Sequence, residues 1–173
     1  MPRLESLPLP RPRTLLVVLG GPALVGACLG LPFGLRALAT EAALVPAIVL
    51  GLAALMIPAL YIGSSLLGIA PPAASVALAV GHALRVMGVA LCGLTPPAAF
   101  LLATSCTPTV ARLLAALVLG GAAICALRLL YHSMFVSRGT HLKVLPLFTA
   151  WAFVTGAIGA RLLLGTLPQG VTP

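Results

Sequence analysis

His82 and Arg85 are the two residues of this chain whose type and spacing could do chemistry inside an apolar environment. They are the only basic or titratable nitrogen side chains in an apolar run of about 20 residues. Residues three apart on a helix share a face, so an imidazole and a guanidinium would project together and could hold an anion or a lipid headgroup. Glu5 and Glu41 are read as lying outside the apolar runs, which leaves no acid to pair with Arg85 at that depth. A charge near the bilayer midplane then needs a dipole, a water or a lipid phosphate. The preceding run supplies candidates: Pro58 cannot donate to the carbonyl of Ala54, and Tyr61, Ser64 and Ser65 follow it. The expected polar site is therefore His82, Arg85, Tyr61, Ser64 and Ser65, with Arg85 packed on the proline-disrupted segment. The plainer alternative is an Arg85 that snorkels to an interface.

Catalytic constellations are missing. Two acids in the whole chain give no paired carboxylates for acid and base work, and there is no glycine-rich phosphate loop and no nucleophile elbow. His82, His132 and His141 sit on different segments, and Ser64 and Ser65 have no base. Cys28, Cys92, Cys106 and Cys125 show no CxxC spacing and read as small apolar filler. No enzyme activity, catalytic residue, cofactor or metal is expected. Val25-Gly26-Ala27-Cys28 follows Arg11, Arg13 and an apolar run in the order of a lipoprotein signal. The apolar residues continue past Cys28 to Leu35, so an intact span is preferred.

These residues must be positioned by helices. The composition, 61% hydrophobic and 7% charged, excludes a soluble fold, which is nearer 45–50% apolar and about 25% charged. The net charge of +8 does not make a nucleic-acid binder, because the arginines are scattered singly between apolar runs rather than clustered on a solvated face; membrane lipids are the expected contact. About 20 apolar residues cross the hydrocarbon core. Five runs qualify, at residues 14–35, 44–67, 73–94, 110–131 and 144–164, and 98–106, too short to span, reads as a short half-helix or as a prolongation of the third span past a proline kink. The fold class is an all-α integral membrane helical bundle with proline-disrupted spans, one membrane domain over residues 1–173. Arg3, Arg11 and Arg13 in the tail and Arg128, Arg138 and Lys143 before the last span put the N-terminus in the cytoplasm by the positive-inside rule.

Gly26, Gly30 and Gly34 repeat at intervals of four, a spacing that lets a second helix approach closely, within the chain or between copies. Gly156, Gly159 and Ala160 offer a similar small-residue surface on the last span.

The segment Ile57-Pro58-Ala59-Leu60-Tyr61-Ile62-Gly63-Ser64-Ser65-Leu66-Leu67-Gly68, together with Phe148-Thr149-Ala150-Trp151 and Gly156-Ala157-Ile158-Gly159-Ala160, resembles small bacterial membrane proteins related to the Yip1 family. The resemblance implies a five-span protein of the bacterial inner membrane without an assigned reaction. Where that group ends in a bulkier aromatic and arginine-containing tail, this chain has Gly165-Thr166-Leu167-Pro168.

The expected function is that of a scaffold or accessory subunit of a larger membrane assembly. Its partners are expected to be membrane lipids and other membrane proteins or copies of itself. The rival is a transporter or channel subunit, with helices broken at Pro46, Pro58 and Pro96-Pro97 and an anion site at Arg85.

Overall fold

A computed structural model describes residues 12–104, 107–136 and 141–166. They form five helices, α1 (Pro12–Gly30), α2 (Leu35–Leu66), α3 (Ala73–Thr104), α4 (Pro108–Met134) and α5 (His141–Thr166), with a 3-10 turn at Leu31–Phe33 and no strand among the described residues. All five are long and apolar enough to cross a membrane, which makes the fold the expected all-α membrane bundle. Arg3, Glu5, Arg11, Cys106 and residues 137–140 lie outside the described residues.

Two boundaries differ from the sequence reading. Arg36 and Glu41, taken as a break between spans, lie in the first two turns of α2; residues 98–104 form no separate half-helix but prolong α3, the alternative reading of that segment, through Pro96 and Pro97 to Thr104. The breaks expected at Pro46 and Pro58 are also inside continuous helix. A proline removes one N–H and strains the preceding turn, yet where water is scarce the remaining helical hydrogen bonds are too valuable to abandon. As a result α2 and α3 have 32 residues each, about 48 Å, well beyond a hydrocarbon core of about 30 Å.

The ends follow local chemistry. Gly34 ends the 3-10 turn with φ of 98°, a left-handed value open to glycine. Thr107 caps α4, its side-chain oxygen accepting from the Val110 N–H at 3.4 Å, with Pro108 in the first turn.

The helices pack as a ring. α1 lies on both α2 and α3, α3 packs on α4, and α5 closes against α2 and, more lightly, α4. The backbones of α2 and α3 make almost no close approach, because α1 is wedged beside both. That wedge depends on glycine. Gly26 meets the carbonyl of Glu41, and a Cβ on Gly30 would stand 2.6 Å from the Ala37 carbonyl oxygen and the Leu38 Cα. On the α3 side Gly21 meets the Gly88 carbonyl, and Gly88 meets the Val17 carbonyl. Without a hydrophobic drive between helices in lipid, such backbone contact is a principal source of association. Gly34, the third glycine of the expected stripe, has open space around it: it turns the chain rather than packing a helix.

Two apolar cores result. One joins Val25 and Leu29 of α1 to Val45, Leu91, Leu102 and Leu119, and the other gathers Leu60, Val76, Leu130, Phe135, Val144 and Phe148 at the opposite end.

Candidate functional site

Between the two cores α2, α3, α4 and α5 enclose a cavity of about 290 Å³. Small residues create it. Ala53 on α2, Ala83 on α3, Ala115, Ala116, Gly120, Ala123 and Ala126 on α4, and Gly156, Gly159 and Ala160 on α5 all line it. A Cβ added at Gly120 or Gly156 would meet nothing within 4 Å. Larger side chains, among them Ile48, Leu52, Met56, Met87, Leu127 and Leu163, complete the wall.

The lining carries side-chain polar atoms only on Trp151 and Thr155, and both are engaged. The Trp151 indole Nε1 donates to the Met56 carbonyl at 2.7 Å, and the Thr155 hydroxyl donates to the Trp151 carbonyl at 2.7 Å. Pro58 loosens α2 close to Met56 by withholding its helical bond from Ala54. The indole of α5 thus meets α2 two residues before Pro58. Below the cavity Tyr131, Phe135, Phe148 and Trp151 form a chain of aromatic contacts, with centroids 5.0 Å apart for Tyr131 and Phe148 and 5.5 Å for Phe148 and Trp151. Offset and tilted rings of this kind pack stably, and Trp151 joins them to the cavity wall.

The cavity has a mouth. Most lining side chains are buried or half-buried, but Ala116 on α4 and Gly156 and Ala160 on α5 are exposed. They lie on the two helices of the lightly packed α4–α5 seam, and the cavity is open there.

The expected polar site does not assemble. His82 and Arg85 are exposed on α3, and among the described residues Arg85 has no hydrogen-bonding or ionic partner. Pro58 and Ser65 are exposed on α2, Tyr61 is half-buried, and the buried Ser64 hydroxyl donates to the Tyr61 carbonyl at 2.9 Å. The reason is helical phase: Ala79, Ala83 and Leu91 take the inner face of α3, and Arg85 falls on the outer one. Sequence reasoning overlooked Glu41, which is 3% exposed, because a lone acid after an arginine looks like a loop. It also overlooked the Gly21–Gly88 crossing, which has no periodic repeat to reveal it. The small-residue surface of Gly156, Gly159 and Ala160 is cavity wall.

No family model, curated protein or solved structure matches this chain.

Proposed function

We propose that this protein holds a hydrocarbon chain of a membrane lipid in the cavity between α2, α3, α4 and α5, and that it acts as a lipid-binding accessory or scaffold component rather than as an enzyme. The observation that carries this reading is the lining: it is apolar, and its two polar side chains already have partners. Water needs two to four polar partners to occupy a cavity and finds none free among the lining side chains. A helix, about 10–12 Å across with its side chains, is too thick for a space of about 290 Å³. An alkyl chain sliding in through Ala116, Gly156 and Ala160 suits both shape and chemistry, at the lower end of the roughly 300–1,000 Å³ typical of ligand pockets.

Several further features belong to this reading. The basic clusters of the tail and of the connection before α5 favour a cytoplasmic N-terminus. A bacterial inner-membrane location and kinship with Yip1-like proteins are supported by the sequence segments quoted above. Those segments belong mainly to α2 and α5, and Leu60 of the first shares one core with Phe148 of the second.

Native mass spectrometry of the protein released from mild detergent tests the reading. A retained lipid on the parent, lost from Gly156→Leu, is the expected result. A parent that carries no lipid, or a Gly156→Leu protein that retains it equally, would overturn it. The transporter alternative requires Arg85 to touch a solute path, and its exposed position on α3 does not favour that.

A further inference from the structure

Glu41 is the one acidic side chain among the described residues, and it is 3% exposed. Its carbonyl touches Gly26, and Ala42 follows at the same crossing, so the residue lies where the backbones of α1 and α2 meet. No described group makes a hydrogen bond or ion pair with the carboxyl. The elements packed on α2 bring little charge to it. Cys28 is the ionisable side chain described on α1, the 3-10 turn has none, and Arg161 on α5 is exposed. Arg36 on α2 itself is exposed and about 140° around the helix from Glu41.

Two further facts make the position unusual. Pro46 cannot supply the helical hydrogen bond that the Ala42 carbonyl would accept, so an acceptor without its normal donor lies in the same seam. Glu41 is also about 9 Å from the start of α2, which for a helix of about 48 Å centred on a core of about 30 Å is the edge of the hydrocarbon. Protons can reach that level while the seam itself stays dry.

We propose that Glu41 is a proton-binding site that fastens the α1–α2 hairpin: the carboxylic acid lets the Gly26–Gly30 seam close, and loss of the proton opens it about Gly34. An unpaired carboxylate in a dry seam is costly. A carboxylic acid carries no net charge, so it loses far less than a carboxylate on entering the closed seam. Opening the hairpin instead returns the carboxylate to water or headgroups. The glycine contacts that close the seam are lost with it.

The full chain in lipid nanodiscs provides the test, with dicyclohexylcarbodiimide as probe, since this apolar reagent modifies protonated carboxyls in apolar surroundings. The expected result is an adduct at Glu41 whose rate of formation falls as pH rises from about 5 to about 9, the interval above the ordinary carboxylate range. Amide hydrogen exchange over residues 21–45, compared with Glu41→Gln at each pH so that intrinsic rates cancel, reads the hairpin. The parent should match Glu41→Gln at low pH and exchange at least about tenfold faster at high pH, as local opening requires. Equal exchange of the two proteins at every pH would overturn the proposal. If Glu41→Gln fails to fold, labelling of the parent decides: a rate that does not fall with pH, or no adduct at Glu41, overturns it as well.

Discussion

The indole nitrogen of Trp151 on α5 donates to the main-chain carbonyl of Met56 on α2 at 2.7 Å, two residues before the proline that weakens α2. This bond joins residues 95 positions apart in sequence, and both of them line the cavity. A donor of this kind in an apolar interior has no water to fall back on, which makes its partner important.

Replacing Trp151 by Phe keeps a ring on Phe148 and removes the donor together with part of the indole's bulk. A loss of about 0.5–1.5 kcal/mol is expected, read as a lower unfolding midpoint in mixed micelles. Trp151→Leu removes ring contacts too, and should lose more. A Trp151→Phe protein as stable as the parent would show that the bond and the lost indole bulk together add nothing.

The glycine contacts predict a sharp division among positions of the same residue type. Gly26→Leu and Gly88→Leu place a side chain against the main chain of the neighbouring helix and should separate α1 from the bundle. The cost is expected to exceed the roughly 1–3 kcal/mol of ordinary overpacking, because backbone cannot move aside as a side chain can. Gly20→Leu, on the same helix with nothing within 4 Å, should be tolerated. Protease protection of α1 in liposomes distinguishes the two classes, and equal protection in all three variants would refute the wedge.

The division also shows what a sequence can reveal in a membrane protein. Length and apolarity determine that a segment spans, and all five helices were legible for that reason. Which way each helix faces was not, since an apolar residue suits both lipid and interior. Thus Arg85 was expected inside and lies outside, and Glu41 was expected in a loop and lies in a helix seam. The cavity itself could not be foreseen from one segment, because it is the sum of small residues on four helices. Gly156 and Gly159 were visible as a surface, but not as a wall.

Arg85→Ala should change stability by no more than about 0.5 kcal/mol, as for exposed positions away from any special contact. It should also leave solute flux through proteoliposomes unaltered. A flux that falls in a folded Arg85→Ala protein would restore the transporter reading and require a path along the outer face of α3.

Gly120→Leu separates occupancy of the cavity from integrity of the fold. The glycine lines the cavity with nothing within 4 Å of a Cβ, so a leucine there fills space that a lipid chain would take. Replacing a mid-helix glycine gains about 1 kcal/mol of helix propensity, and the lipid-free protein should therefore melt at the parental temperature or above it. A ligand that binds only the folded state raises stability with its concentration, by about 2.7 kcal/mol at a hundred times its dissociation constant. Added phospholipid should thus raise the melting temperature of the parent and of Gly51→Leu, whose glycine also has open space but lies outside the cavity, while leaving Gly120→Leu unmoved. An equal rise in all three proteins would mean that lipid stabilises the outer surface of the bundle and that the cavity is not its seat.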